Sequence, residues 1–138
     1  VERFRDERQS HGAPPSLMAQ PALAEFMSSG AFAIHIRRMR RIYANRREAL
    51  IAALKPADGR LFTIDASPAG LMLLLRLPAG EVDEDLVTRL AARGIESQSL
   101  SSHYARRKRG QGLLLSFAGF TEDELRKSAH RLIEAMNE

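Results

Sequence analysis

Side chains that could carry out chemistry are few in this sequence and lie far apart. There is no cysteine, so neither a disulfide nor a thiolate metal site can form. No two of the four histidines have a spacing at which one helix could hold a metal ion between them. They are His11, His35, His103 and His130. We therefore expect no metal site.

The lysines and the one serine–histidine pair give no acid–base constellation either. Ser102 and His103 are adjacent in a polar segment, which is more typical of a loop than of a catalytic triad. Gly110 and Gly112 are a lone pair of glycines and not a phosphate-binding fingerprint. None of the lysines lies in an apolar stretch that would activate it as a Schiff-base nucleophile: they are Lys55, Lys108 and Lys127. The residues alone thus assign no catalytic or cofactor-binding side chain.

Composition predicts an ordinary soluble domain. A chain of 138 residues, 44% hydrophobic and with a mean hydropathy of −0.27, can bury a core of its own. The longest apolar run, residues 69–75, is too short to span a bilayer, so we expect no membrane association. The lack of cysteine favours a reducing, cytoplasmic location. Because the chain begins with Val1 rather than Met, we expect it to be a fragment or processed product.

The charge pattern leaves two interpretations open. The net charge is +4, and the arginines cluster in residues 37–47 and 106–109. They could form a nucleic-acid-binding surface, or they could be the solvated face of a helix followed by a basic loop. Aromatic residues make up only 6% of the chain, which is few for a base-stacking platform and favours the second interpretation.

A helix over residues 31–54 is the strongest structural signal. It contains no Gly or Pro, and its apolar residues recur at helical spacing: Phe32, Ile36, Met39, Tyr43, Leu50 and Leu54. Arg46 and Arg47 interrupt this apolar stripe. Either the helix leaves its core there, or both arginines pair with carboxylates where two bodies meet. We interpret the segment as a linking helix.

Shorter elements flank this helix. Residues 17–27 predict a helix that either kinks at Pro21 or begins there, since proline is favourable in a first turn. Residues 60–65 and 71–77 predict paired antiparallel strands, the second of them central and buried on both faces. Asp83 is the expected N-cap of a helix that ends at Gly94.

The rest of the chain alternates strand and helix. Strands are predicted over residues 95–100 and 113–118, with a loop over residues 101–110 between them. Thr121 and Glu124 form a capping box that begins the last helix. The fold class is therefore α/β (α+β), a small and largely antiparallel sheet of about four strands covered by helices. Residues 1–15 are a leader, and residues 16–138 are the domain.

Several segments resemble one protein family, the MocR-type regulators of the GntR family. The strongest are HIRRMR, at residues 35–40, and GLLLSFAGFTEDEL, at residues 112–125. Weaker matches follow the family's order: ALAEF at 22–26, RREAL at 46–50, AGLMLLLRLP at 69–78, ARGI at 92–95 and SLSSHY at 99–104. Residues 30–43 resemble the helix that joins the large and small subdomains of the family's aminotransferase-like module.

The resemblance implies a small subdomain of fold-type I. In the intact regulator this module follows a winged-helix DNA-binding domain, binds pyridoxal 5'-phosphate, senses an effector and forms a homodimer. The Schiff-base lysine and most cofactor ligands would precede Val1. The resemblance therefore implies that this chain neither binds the cofactor tightly nor catalyses. Its partners would be the large subdomain, the winged helix and a second copy, with DNA bound only through the winged helix.

The sequence differs from aminotransferases of this fold at the residue that would bind the carboxylate of the ligand. Aminotransferases of this fold commonly carry an arginine, which clamps the substrate carboxylate, in a strand resembling IRLSFA. Here that strand is LLLSFA, and Leu114 stands at the position of the arginine. As effector-binding residues we predict Arg76, Tyr104 and Ser116, although an exposed strand-end arginine is the simpler interpretation of Arg76. The alternatives are the small subdomain of a genuine aminotransferase and, less favoured, a basic nucleic-acid-binding domain.

Overall fold

The computed structural model describes residues 17–65, 70–105 and 110–137. The chain forms two compact units, Val1–Met39 and Arg40–Glu138. Their boundary lies inside the long helix. The basic residues 106–109 lie outside the described part of the chain.

The first unit contains a short helix and the start of the long one. A 3₁₀ turn, Leu17–Ala19, leads into helix α1, Gln20–Ser28, with Pro21 in the first turn. Proline is favourable there because the first N–H groups of a helix have no partner within the helix. Of the two predicted alternatives, the helix that begins near Pro21 is correct. Gly30, at φ +79°, then separates α1 from α2.

Helix α2 spans Ala31–Leu54, as predicted. The last turns of α2 belong to the second unit, where Ala49, Leu50 and Leu54 are buried. A 3₁₀ turn, Lys55–Ala57, ends it.

The second unit is built on a four-stranded sheet with the order β1-β2-β4-β3. Every neighbouring pair is antiparallel, which confirms the predicted fold class. Helix α3 lies between β2 and β3 in the chain, and α4 follows β4. The strands and helices are β1, Thr63–Asp65; β2, Met72–Arg76; β3, Gln98–Ser99; β4, Gly112–Ser116; α3, Asp83–Ala91; and α4, Glu122–Asn137. The strand predicted over residues 95–100 is therefore only two residues long.

The core lies on one face of this sheet. Leu73 and Leu75 of β2 are buried together with Leu113 and Leu115 of β4, against the helices. The helical residues in the same cluster are Leu50, Leu54, Leu86, Leu90, Leu125, Ala129 and Leu132. The other face of the sheet carries the alternate side chains and is only partly buried or exposed. Strand β2 is central, but the prediction that it is buried on both faces is wrong, since the helical core covers only one of them.

The Asp83 carboxylate joins three parts of the second unit. Its side chain is fully buried, and it accepts hydrogen bonds from Ser101 N at 2.9 Å, Ser101 Oγ at 2.6 Å and Gly112 N at 3.0 Å. The predicted N-cap role is wrong by one residue, because Val82 occupies the cap and Asp83 is the first residue of α3. The carboxylate instead fixes α3 to β4 and to the 3₁₀ turn Ser101–His103.

Gly112 is required at its position because there is no space for a side chain. A Cβ placed there would lie 2.9 Å from the carbonyl oxygen of Leu75, 2.9 Å from Leu74 Cδ1 and 3.3 Å from Leu100 Cβ. The backbone of β2 or of β4 would have to move. A shift of β4 would also disturb the hydrogen bond that Gly112 N donates to Asp83.

We predict that Gly112→Ala lowers the free energy of unfolding by about 1–3 kcal/mol, the usual cost of overpacking a core. Urea unfolding followed by circular dichroism measures it. Gly119→Ala is the matched control, because nothing lies within 4 Å of a Cβ built there. A Gly112→Ala variant as stable as the Gly119→Ala variant would contradict the steric constraint.

The capping box at the start of α4 forms as predicted. Thr121 N donates to Glu124 Oε2 at 2.7 Å, and Glu124 N donates to Thr121 Oγ1 at 3.3 Å. The hydrogen bond from the Thr121 backbone, followed by that from its hydroxyl, holds the pKa of Glu124 below its ordinary value. The ionised form is therefore favoured by folding.

This lowered pKa predicts a pH-dependent contribution to stability. A depressed carboxyl pKa stabilises the fold above the unfolded-state pKa of about 4.3, and the stabilisation is lost as pH falls through the folded-state pKa. We expect Glu124→Gln to be less stable than wild type at pH 7 and the difference to shrink in acid. Thermal unfolding between pH 7 and pH 3 measures it, with Glu134→Gln on the same helix as control. A difference independent of pH would refute the assignment.

Candidate functional site

Arg76 lies at the end of β2 and is engaged by an acidic side chain. Its Nε and Nη2 both donate to Asp65 Oδ2, at 3.1 Å and 2.7 Å. The two residues form a diagonal pair on neighbouring strands, since Arg76 faces Thr63 and Asp65 faces Leu74. The guanidinium group thus already has a carboxylate partner, and this exposed pair matches the simpler interpretation of a strand-end arginine.

Tyr104 follows the 3₁₀ turn and is half-buried. Its hydroxyl oxygen lies 3.9 Å from the position that a Cβ would take on Gly110. Leu100 N donates to the carbonyl of Gly112 at 2.8 Å, which holds the beginning of this turn beside β4. Because Gly112 faces Arg76 in the sheet, the turn before Tyr104 approaches the same end of the sheet as Arg76.

Ser116 lies at the opposite end of β4 and faces Met72. It lies four positions after Gly112 in β4, which corresponds to about 13 Å along a strand. The three predicted effector-binding residues therefore do not converge on one point. The structure brings the turn before Tyr104 to the end of the sheet that carries Arg76, and it separates Ser116 from both.

A cavity of about 380 Å³ adjoins the partly exposed face of the sheet. Leu114, the predicted counterpart of the aminotransferase arginine, lies in its wall, as does Ser116. Neighbouring strands contribute Met72 and Gln98, Ser97 comes directly before β3, and Phe120 also lines the cavity. We name it the sheet-face cavity. Its walls mix apolar side chains with hydroxyl and amide groups and with the carboxylate of Glu96.

Ser97 and Gln98 are wall residues that the sequence reasoning did not select. Ser97 Oγ is buried, and it has no hydrogen-bond partner within the described ranges. A buried polar atom without a partner is costly, so this hydroxyl is suited to a polar ligand atom. The available signal is this polar pair inside the strand predicted over residues 95–100.

For Arg46 and Arg47 the sequence leaves two alternatives: the helix leaves its core there, or both pair with carboxylates at a junction. Arg46 Nη1 instead donates to the backbone carbonyl of Ala118, within the second unit. Its charge also contributes to the lowered pKa of Glu124. Arg47 is half-buried. Arg46 therefore stabilises the connection between β4 and α4, and pairing of Arg47 across a junction stays a prediction.

Neither lysine of the described ranges lies in an enclosed setting of the kind in which pyridoxal phosphate forms its Schiff base. Lys55 is exposed and its Nζ lies 2.7 Å from Asp58 Oδ2, while Lys127 is exposed on α4. In the same ranges no group of three histidine, aspartate or glutamate side chains could hold a metal ion. Nor is any helix in them both long and apolar enough to cross a membrane.

The fold is similar to part of several aminotransferases. An α-aminoadipate aminotransferase from Thermus thermophilus superposes with a TM-score of 0.82 over 96% of this chain, at 20% identity. A multiple substrate aminotransferase from Thermococcus profundus gives 0.74 over 82% of the chain, at 21% identity. The matches cover 34% and 28% of those proteins, respectively. At these identities the likeness shows the fold alone.

Sequence similarity points to regulators. No family model matches the chain. A probable rhizopine catabolism regulatory protein, MocR, from Rhizobium meliloti is 36% identical over 96% of the chain. A pyridoxine biosynthesis transcriptional regulator, PdxR, from Corynebacterium glutamicum is 30% identical over 83% of it.

These matches cover most of this chain but only part of each relative. The two alignments cover 27% and 24% of the relatives, so the chain spans about a quarter of their length. The chain is homologous to a segment of MocR-type transcription regulators, and it has the fold of the corresponding part of an aminotransferase.

Proposed function

We propose that the chain acts as the small subdomain of a MocR-type transcription regulator, where it contributes to an effector pocket and to dimerisation rather than to catalysis. The homology to MocR over 96% of the chain supports this proposal. It is also supported by the fact that the chain aligns with only about a quarter of the length of such relatives. The remaining three quarters of such a protein would supply the large subdomain and a winged-helix domain that binds DNA.

The presence of leucine at position 114 is the observation that favours the regulator over the aminotransferase alternative. It lies in the wall of the sheet-face cavity. By the sequence resemblance it stands where aminotransferases of this fold commonly carry a carboxylate-binding arginine. An arginine there would hold a substrate carboxylate by two hydrogen bonds, and a leucine side chain cannot replace them. The effector would instead be recognised by shape and by the polar groups of the wall, Ser97, Gln98, Ser116 and Glu96.

The cofactor belongs to the intact regulator in this proposal. Pyridoxal phosphate would be held by residues outside this chain, because neither described lysine is enclosed. The chain would then contribute one wall of the site and no covalent attachment. Like other bacterial transcription regulators, the intact protein would act in the cytoplasm.

The coding sequence that precedes Val1 tests the proposal directly. A winged helix followed by a large subdomain with a strand-linked Ser-x-x-Lys segment is the expected result. A large subdomain without a winged helix would favour the aminotransferase alternative instead.

DNA binding by this chain is a second prediction. The proposal assigns DNA contacts to the winged helix, so we expect this chain not to bind a DNA duplex in fluorescence anisotropy at 150 mM salt. At that ionic strength nonspecific electrostatic binding is already weakened. Binding that weakens steeply as salt rises would instead support the nucleic-acid alternative.

The first unit exposes apolar side chains that support a role in association. Each of them lies within residues 17–34: Leu17, Met18, Leu23, Phe26, Met27, Phe32 and Ile34. In the intact regulator these side chains would pack against the large subdomain or the partner copy. Without such a partner, apolar surface of this kind favours association between copies.

We therefore predict that the 138-residue chain self-associates as its concentration rises. Ile34 is 62% exposed, and Ile34→Asp should weaken the association about tenfold, because it removes apolar burial and introduces a charge. Sedimentation velocity over a range of concentrations measures it. Ala44→Asp on the same helix is the control of equal charge. A chain that stays monomeric at high concentration would contradict the prediction.

A further inference from the structure

The sheet-face cavity lies on the side of the sheet that the helical core does not cover. Strand pairing places Asp65, Leu74, Leu114 and Gln98 in one row across the four strands, from the β1 edge to the β3 edge. Leu114 is half-buried and Gln98 is exposed, so this part of the wall has surface that a ligand can contact. The charges around the row determine which class of ligand the cavity can hold.

The wall carries a negative charge that no described ion pair compensates. Glu96 is exposed, and none of the salt bridges within residues 17–65, 70–105 and 110–137 includes it. Among the described residues that line the cavity there is no lysine, arginine or histidine. The wall therefore favours a positively charged ligand over a negatively charged one.

Two described arginines could compensate this charge, but neither lines the cavity. Arg76 lies further along the same face of the sheet, where its Nε and Nη2 donate to Asp65 Oδ2 and its charge is already paired. Arg131 lines the adjoining space, and its Nη2 donates to the carbonyl of Arg93 at 2.7 Å. With leucine at position 114, a ligand carboxylate in this cavity would face Glu96 without an arginine of the wall to bind it.

The wall also contains a hydroxyl oxygen that lacks a partner. Ser97 Oγ is buried, and no described group donates to it or accepts from it. A hydroxyl oxygen can accept a hydrogen bond from an N–H group, and leaving a buried polar atom unpaired is costly. An ammonium group at this part of the wall would supply the missing hydrogen bond and would also balance the charge of Glu96.

The rest of the wall can hold an apolar group. Met72 and Leu114 are half-buried and Phe120 is 48% exposed, so all three present carbon atoms that a ligand can cover. The volume of about 380 Å³ is sufficient, because an apolar cavity of about 150 Å³ binds benzene. A phenyl-sized group and an ammonium group therefore fit together.

We propose that the sheet-face cavity binds a primary amine that carries an apolar group and no carboxylate. The apolar group contacts Met72, Leu114 and Phe120, and the ammonium group lies between the Glu96 carboxylate and Ser97 Oγ. This inference rests on the proposed function, since it names the class of effector for the pocket proposed there. The binding step itself requires neither DNA nor the cofactor.

Amide chemical shifts of the ¹⁵N-labelled chain test the ligand class. The probe is 2-phenylethylamine, and we expect saturable shifts at Ser97, Leu114 and Ser116 at millimolar concentration. L-phenylalanine adds a carboxylate to this amine, and 3-phenylpropanoate has the carboxylate without the ammonium group. Both should bind at least about fivefold more weakly than the amine, because their carboxylate meets a wall of like charge.

Two variants test the charge of the wall. Glu96→Gln should weaken binding of 2-phenylethylamine about threefold to fivefold, as for an exposed ion pair, and strengthen binding of 3-phenylpropanoate. Glu48→Gln, an exposed glutamate on α2 outside the wall, is the matched control. Leu114→Arg should reverse the order of the two ligands, because an arginine can hold a carboxylate by two hydrogen bonds.

Ser97→Ala separates a ligand-binding hydroxyl from a structural one. Removing a buried oxygen that has no partner should leave the free energy of unfolding unchanged or higher, while 2-phenylethylamine binds about threefold more weakly. Urea unfolding and the same chemical-shift titration measure the two effects. A less stable variant with unchanged amine binding would make the serine structural and overturn its assignment to the ligand.

Three further results would overturn the proposal. They are the absence of saturable shifts with 2-phenylethylamine, equal or tighter binding of 3-phenylpropanoate or L-phenylalanine, and equal amine binding by the Glu96→Gln and Glu48→Gln variants. The proposed function fails on a different observation, the coding sequence that precedes Val1. A winged helix there without amine binding would refute this inference alone, whereas amine binding without a winged helix would refute the regulator and leave the ligand class standing.

Discussion

The second unit depends on one buried negative charge. The Asp83 carboxylate is removed from water, which is costly unless its oxygens are fully hydrogen-bonded. Three donors from Ser101 and Gly112 meet that requirement. The donors lie 18 and 29 residues away in the chain, so α3, the 3₁₀ turn and β4 must assemble together. Glycine at position 112 is part of the same constraint, because any side chain there would collide with β2.

Elements whose signal is local could be predicted from the sequence. Helix α2 was predicted with its observed bounds because its 24 residues contain neither glycine nor proline and repeat at helical spacing. The capping box was predictable because Thr121 and Glu124 interact within one turn. The fold and the homology were also accessible, since two segments of the chain jointly resemble one family.

Features that depend on distant contacts were missed. Asp83 has the sequence signature of a helix cap, and nothing local indicates that its carboxylate binds residues so far along the chain. The continuous apolar run of β2 suggested burial on two faces, whereas the helices pack on only one. Neither alternative for Arg46 included its hydrogen bond to a backbone carbonyl 72 residues along the chain. The candidate site shows the same limit: Ser116 was selected, but Ser97 and Gln98 join it only through strand pairing and chain folding.

The short outer strands have a consequence for how copies of this chain can meet. β1 has three residues and β3 has two, and these strands form the two edges of the sheet. Open edges invite strands of other molecules to add by backbone hydrogen bonding, and long flat edges are the usual starting points of fibrils. Edges of two and three residues offer too few backbone groups for such growth. Contacts between copies of this chain are therefore directed to side chains rather than to strand edges.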